Sequence, residues 1–290
     1  MIPTFPEFAP IAIEKKGDVD AVLARLRPLA SEYTFTNLFA WAETSHYQLA
    51  RFEDGLLIRK NLDGHVTFLQ PLMPGDPAGA VRACLDAAGR IERVGEDFLA
   101  RLEPALQSAA REDRDDFDYV YSVPELIALH GPKYHDKKNL LHQLDKAADW
   151  QYRPMTLALI ERSLPFQHHW CQERNCTENA GLLREHCATF RMLTNFTALG
   201  LRGGAIEIDG RLAAITLGEP LNADTWVIHI EKAMGGLPGL YQAINREFLR
   251  DACAEYAYVN REQDLGIPGL RKAKTSYNPV RMVKKYTIVA

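Results

Sequence analysis

The chain has 290 residues, 47% of them hydrophobic, with 34 Lys and Arg against 38 Asp and Glu and a net charge of −4. That is enough apolar material for the cores of two domains of ordinary size. No stretch approaches the ~20 apolar residues a membrane-spanning helix needs. The N-terminus lacks the basic and apolar regions of a signal peptide, and five scattered cysteines lack disulfide-scaffold spacing, so the expectation is a cytoplasmic protein with reduced thiols.

Taken in chain order, Val19, Val22, Leu23 and Leu26 recur at helical spacing before Pro28, and Thr36–Trp41 opens a second short helix. A meander follows. Tyr47–Arg51, Leu56–Lys60 and His65–Gln70 read as strands joined by Asp54-Gly55 and Asp63-Gly64, dipeptides that two-residue hairpin turns favour. A helix over 77–89 and a strand at Ile91–Val94 come next, then an acidic stretch, Arg111–Asp116, that reads as a solvated loop or helix end. Ser122-Val123-Pro124-Glu125 fits a capping box, Gly131-Pro132 stops that helix, and Lys133–Asn139 opens another whose Leu140, Leu141 and Leu144 face inward. A boundary near Asp149 divides the chain into domains 1–148 and 149–290.

The second half repeats the element order of the first. Thr177 is read as the cap of a long helix carrying Leu182, Leu183, His186, Phe190 and Leu193, and strands at Ala205–Ile208 and Arg211–Leu217 flank Asp209-Gly210. Gly203-Gly204 and Gly55 are read as hairpin glycines. Trp226–Ile230 is a β-branched run, Gly235-Gly236-Leu237-Pro238-Gly239 must turn sharply, and Leu240, Tyr241, Ile244, Phe248, Leu249 and Ala252 then share a helical face before a strand at Ala257–Val259. Backbone N–H groups at Gly239 and Leu240 would point from a helix N-terminus at whatever sits there. From Asn260 onward seven Lys and Arg (Arg261, Arg271, Lys272, Lys274, Arg281, Lys284, Lys285) face only Glu262 and Asp264, a local basic end read either as an anion site or as a solvated face.

Five stretches resemble the phosphatidylglycerol lysyltransferase C-terminal domain family: Glu231-Lys232-Ala233, Tyr241-Gln242-Ala243-Ile244-Asn245, Asn260–Gly266, Leu270–Lys274 and Ser276–Pro279. A basic-Tyr-basic-Asn pattern at Lys133, Tyr134, Lys137, Lys138 and Asn139 is similar to the family's as well. The resemblance implies an α/β (α+β) fold of tandem GNAT-like acyltransferase domains, as in Fem-like aminoacyl transferases, each a mixed, mostly antiparallel sheet flanked by helices. No run of this sequence is long and apolar enough to be the membrane portion that full-length lipid-modifying relatives carry.

Acyl transfer needs a base for the acceptor and an acid for the leaving group. Glu231, at a strand end beside the glycine loop, and Asp264, after the next strand, are the candidate bases. Tyr277 is the candidate acid, since Ala273-Lys274-Thr275-Ser276-Tyr277 has the spacing of the general-acid tyrosine of many GNAT enzymes. Lys133, Tyr134, Lys137, Lys138, Asn139, Lys232, Tyr241, Asn245, Asn260, Glu262, Arg271, Lys272, Lys274 and Ser276 are the candidate substrate-binding residues. Gly235, Gly236, Gly239 and Leu240 would hold the pyrophosphate of an acyl-CoA, although Leu237 and Pro238 depart from the small-residue pattern such loops carry. His168, His169, Cys171, Cys176, His186 and Cys187 match no zinc-ligand spacing, so no metal is expected.

The residues leave three functions open. One is a soluble transferase that moves an aminoacyl group from aminoacyl-tRNA to a small-molecule, peptide or lipid-headgroup amine or hydroxyl. The second is an acyl-CoA-dependent N-acyltransferase, and the third a catalytically silent anion-binding module. The active half is expected to be 149–290, because the matching turn of the first half, Pro71–Asp76, carries two prolines that remove amide donors.

Overall fold

The computed structural model describes residues 1–62 and 64–290. Its strands are β1 (Ala9–Pro10), β2 (Gln48–Phe52), β3 (Gly55–Leu62), β4 (His65–Leu69), β5 (Arg90–Gly95), β6 (Arg111–Glu112), β7 (Asp118–Ser122), β8 (Trp150–Pro154), β9 (Arg202–Ile208), β10 (Arg211–Pro220), β11 (Thr225–Ala233), β12 (Tyr258–Asn260), β13 (Arg281–Val283) and β14 (Lys285–Val289). They form two seven-stranded sheets of matching design, β1-β2-β3-β4-β5-β14-β6 and β13-β7-β12-β11-β10-β9-β8. Each begins as an antiparallel meander and then makes one parallel step, β4 to β5 and β11 to β12. A parallel step needs a crossover, supplied by the helices Ala78–Ala88 and Leu240–Ala252. Beyond that step each sheet takes a strand from elsewhere in the chain: the C-terminal β14 pairs with β5, and β7 pairs with β12.

This exchange shapes the two compact units. One comprises residues 1–118, 263–271 and 282–290; the other comprises 119–262 and 272–281. Residues 119–148, assigned to the first domain on the sequence, therefore pack within the second unit. In the first unit Leu57, Phe68, Val81, Ile91, Val94 and Ile288 are buried in one core. In the second, the helix Leu157–Glu173 seals Leu159 and Phe166 over Ala205 and Ile215.

Most of the predicted elements are present with shifts of a few residues, and the departures have physical causes. The helix Leu157–Glu173 has no clear signature in the sequence, because Pro165 interrupts its pattern. The next helix, Ala180–Thr194, is capped by Asn179 and not by Thr177: Asn179 Oδ1 accepts from Leu182 N at 3.1 Å. Its buried face is Ala188, Thr189, Met192 and Leu193, which leaves Leu183 and Phe190 exposed. The β2–β3 turn is Glu53-Asp54, since Phe52 pairs with Gly55. Gly55 is needed for a close approach, because a Cβ there would lie 2.3 Å from Leu72 O. Gly203 and Gly204 sit inside β9 and not in a turn, where side chains would meet Thr216 O and the Tyr152 ring. Asp209-Gly210 is a hairpin turn with positive φ at both residues. Of the expected Asp63-Gly64 turn, Asp63 lies outside the described residues, while Gly64 has φ 82°. Cys84, Cys187 and Cys253 are free, but Cys171 and Cys176 are joined in a disulfide with Cα atoms 5.2 Å apart. That corrects the expectation of reduced thiols: the end of the helix Leu157–Glu173 folds Cys176 back onto Cys171.

Candidate functional site

In the second unit, Glu231 projects from β11 and is held from two directions. Arg261 Nη2, just beyond β12, donates to its Oε1 at 2.9 Å, and Asn245 Nδ2, from the helix Leu240–Ala252, donates to Oε2 at 3.1 Å. Each carboxylate oxygen has a second lone pair, so Glu231 retains acceptor capacity. The Arg261 guanidinium also lies 4.7 Å from the centroid of the Tyr277 ring, and Lys137 Nζ lies 4.3 Å from it. Tyr277 stacks edge-on with Tyr121 and is 5% exposed.

Two buried donors in this cluster have no partner: Arg261 Nη1 and Tyr277 Oη. Gln242 and Arg261 are near enough to influence the phenol without meeting hydrogen-bond geometry. Burial pushes the Tyr277 hydroxyl up to about 12, with the Arg261 charge pulling it back and Glu231 adding to the rise. The phenol is therefore protonated at neutral pH. Unpaired buried donors are rare and costly, which makes this pair the strongest sign of a site for an oxygen acceptor on a ligand.

Around the pair, several predicted residues take supporting positions. Lys137 Nζ donates to Ser276 Oγ at 2.5 Å, and burial together with Arg261 lowers its pKa. Lys274 Nζ donates to the Arg261 carbonyl, and Asn260 Oδ1 accepts from Glu262 N at 2.8 Å. Tyr134 is buried and donates to Glu125, which also pairs with Lys133. Lys138 is half-buried, Asn139 and Lys272 are exposed, and Tyr241 is half-buried at the start of its helix. Glu262, a candidate ligand contact, instead holds His229 Nδ1 at 2.8 Å, and Glu219 holds His229 Nε2 at 3.0 Å. Burial alone would lower the pKa of His229, but the two carboxylate bonds outweigh it and raise it to about 9. Reading the sequence missed this histidine and Arg261, because their partners converge from three strands.

Other predicted residues are spoken for elsewhere. Lys232 points into the opposite layer of the unit, where Nζ pairs with Glu185 at 2.6 Å and lies 3.7 Å from the Trp170 ring centroid. Gly239, with φ 94°, is required by packing, since a Cβ would lie 2.2 Å from Leu140 O. Leu240 is 1% exposed, while Gly235 and Gly236 are exposed. The helix packed there accounts for Gly239 without a phosphate.

Asp264 and Arg271 belong to the first unit. The Asp264 carboxylate is fully buried and accepts from Arg271 Nε and Nη2 at 2.9 and 2.8 Å, from Arg114 at 3.1 Å and from Gly266 N at 2.9 Å. A carboxylate so occupied clamps its loop and has little capacity left to take a proton. The same unit holds a second buried network that the sequence did not announce: Lys285 Nζ lies 2.6 Å from Asp118 Oδ1 and 2.8 and 2.6 Å from the Glu32 oxygens. A small recess of about 40 Å³ beside Tyr33, Gln70 and Arg101 also lies in this unit. Among the described residues no group of three or more His, Cys, Asp or Glu is placed to hold a metal ion, and no helix is long and apolar enough to cross a membrane.

The model of the family described as phosphatidylglycerol lysyltransferase, C-terminal, matches residues 23–289. The chain belongs to this family. Among solved structures, a conserved protein of unknown function from Bacteroides thetaiotaomicron is 32% identical, with a TM-score of 0.90 over 100% of both chains. The phosphatidylglycerol lysyltransferase-family chain is also similar in fold to L-PGS from Bacillus licheniformis, at 12% identity and TM-score 0.66 over 100% of this chain and 93% of that one. A tandem GNAT protein from the clavulanic acid biosynthesis pathway matches at 13% identity and TM-score 0.50, over 98% of each chain. No curated protein matches the chain. Two mixed sheets flanked by helices, in a member of the phosphatidylglycerol lysyltransferase C-terminal family, are the tandem GNAT-like fold of acyltransferases.

Proposed function

We propose that the chain transfers an aminoacyl group from the ester of an aminoacyl-tRNA to an amine or hydroxyl acceptor, with the chemistry centred on Glu231, Arg261 and Tyr277. The observation that carries this reading is the pair of buried, unpartnered donors beside a carboxylate with spare lone pairs. The acceptor attacks the ester carbonyl, Arg261 Nη1 donates to the developing oxyanion, and Glu231 takes the acceptor's proton. Tyr277 gives its phenolic proton to the departing ribose oxygen, and the phenolate and the protonated carboxyl then reset through solvent. The name of the family, a lysyltransferase, supports transfer of an aminoacyl group.

The leaving group favours an ester over a thioester. A phenol held at about 12 is matched to a strongly basic alkoxide, whereas its transfer to a thiolate, with a thiol pKa of about 8.5, runs uphill. Of the predicted cations, half-buried Lys138 and exposed Lys272 have no carboxylate partner among the described residues and are free to meet a phosphate backbone. Asp264 and Arg271 serve in this scheme as the clamp of their own loop. The test is a donor panel: labelled aminoacyl-tRNAs and, separately, acyl-CoAs, each incubated with the protein and a pool of acceptors from cell extract. Transfer from tRNA that is lost in Glu231→Gln supports the proposal. Transfer from acyl-CoA alone, or binding of both donors without turnover, overturns it.

A further inference from the structure

The inference rests on the role given to Arg261 above and concerns what keeps that side chain available. β11 and the loop after β12 are clasped by two ion pairs of opposite sense. Arg261 Nη2 donates to Glu231 at 2.9 Å, and the next residue, Glu262, meets His229 at 2.8 Å. Along an extended segment, consecutive side chains point to opposite faces, so residues 261 and 262 would not both reach one strand. The left-handed backbone of Glu262, φ 57°, removes that alternation. A glutamate adopts this conformation only when its surroundings hold it there. Here its amide donates to Asn260 Oδ1 at 2.8 Å and its carboxylate is bound by His229.

His229 is itself seated by an irregularity in the sheet. Leu217 pairs with Ile230 and Gly218 with Ile228, which leaves His229 as the extra residue of a bulge, a device that re-aims a side chain. Gly218 is required beside it, since a Cβ there would lie 2.3 Å from Val227 O. The far ring nitrogen of His229 is anchored on Glu219 at 3.0 Å.

We infer that Glu219, His229 and Glu262 form a positioning relay whose task is to keep the Glu262 carboxylate away from the neighbouring Arg261 guanidinium. Glu262 is the nearest competitor for Arg261 along the chain, and a guanidinium closed onto it would have no Nη1 donor left for a ligand oxygen. His229 takes that carboxylate instead. The relay residues act through Arg261 and touch no reacting atom.

The test is nuclear magnetic resonance of the guanidinium groups in the intact, isotopically labelled chain, with Arg261 assigned by its loss in Arg261→Lys. In the parent, the Arg261 Nη groups give separate signals because rotation is restrained by Glu231. His229→Gln is expected to merge or shift those signals while thermal unfolding remains cooperative, and adding Glu262→Gln to His229→Gln is expected to restore them, because the competing charge is gone. Glu262→Asp, which shortens the reach to His229 without altering β11, provides a second route to the same loss should His229→Gln fail to fold. Parent-like Arg261 signals in both His229→Gln and Glu262→Asp, or no restoration in the double variant, would overturn the inference. No donor, acceptor or turnover enters this readout, so its failure is separate from failure of the transferase reading.

Discussion

Two buried charge clusters, one in each compact unit, are alike in composition and differ in which atoms are left without a hydrogen bond: an acceptor facing an ammonium in the first, donors in the second. In the first, Lys285 is fully buried and its ammonium is surrounded by three carboxylate oxygens of Glu32 and Asp118, while Gln263 Nε2 and Ser31 fill the remaining positions around Asp118 and Glu32. Lys285 Nζ donates to Glu32 Oε1 and Asp118 Oδ1 and lies 2.6 Å from Glu32 Oε2, an acceptor that has no hydrogen bond but faces the ammonium. In the second, Glu231 is satisfied by Arg261 and Asn245, but Arg261 Nη1 and Tyr277 Oη are left over. A cluster whose donors are all taken belongs to the architecture; in the first unit it fastens the C-terminal strand β14 into its sheet. The cluster with donors to spare is the one proposed to receive a ligand.

The comparison can be broken most forcefully at Lys285. Lys285→Met removes the cation shared by two buried carboxylates, of which Glu32 keeps Arg93, and breaking such a buried pair costs about 3–5 kcal/mol. Urea unfolding should register that loss. By contrast, Tyr277→Phe removes a hydroxyl with no partner, so its stability should stay within about 1 kcal/mol of the parent's. Equal losses for the two variants would erase the distinction between the clusters.

The pH dependence of stability sharpens it next. His229, with a side chain fully buried and a pKa raised to about 9 from 6.5, contributes stability that is complete below pH 6.5 and is lost as pH rises through about 9. The linkage amounts to at most about 3 kcal/mol. Unfolding free energies measured from pH 6 to 10 should fall over this window, and His229→Gln should flatten the fall. A profile unchanged by that substitution would mean that His229 is not held as an imidazolium.

How much of this was legible beforehand follows from the range of the interactions. The crossover helix Leu240–Ala252 and most of the meander strands were readable because helical and strand periodicities are local signals. Glu231 and Tyr277 stand out through family words and spacing, and the structure places both against Arg261. Arg261 itself was counted only as one cation of a basic end. Its importance lies in the atom left unpaired after Glu231 is satisfied, which no linear pattern encodes. The basic end also read misleadingly. Arg261, Arg271, Lys284 and Lys285 pair with carboxylates, Lys274 with a backbone carbonyl, and Arg281 lies 4.8 Å from the Tyr258 ring centroid. Four of the carboxylates that neutralise it, Glu32, Glu112, Asp115 and Asp118, come from more than a hundred residues away. Asp264 was selected for its place after a strand, and only the fold shows two guanidiniums on it.

That neutralisation sets the smallest predicted effect. With Lys138 and Lys272 as the predicted cations left free, binding of tRNA should weaken only moderately with salt, and Lys138→Ala with Lys272→Ala should reduce the slope of log affinity against log salt by about two. A steep slope that survives both substitutions would place the phosphate contacts elsewhere.

The central claim is that unpaired Tyr277 Oη serves the leaving group of an ester. Single-turnover transfer from labelled aminoacyl-tRNA, compared between the parent and Tyr277→Phe at equal folded fraction, tests it most directly. The account predicts a rate lower by about 10²–10⁴-fold with tRNA affinity retained. Transfer in Tyr277→Phe at the parent's rate would contradict it.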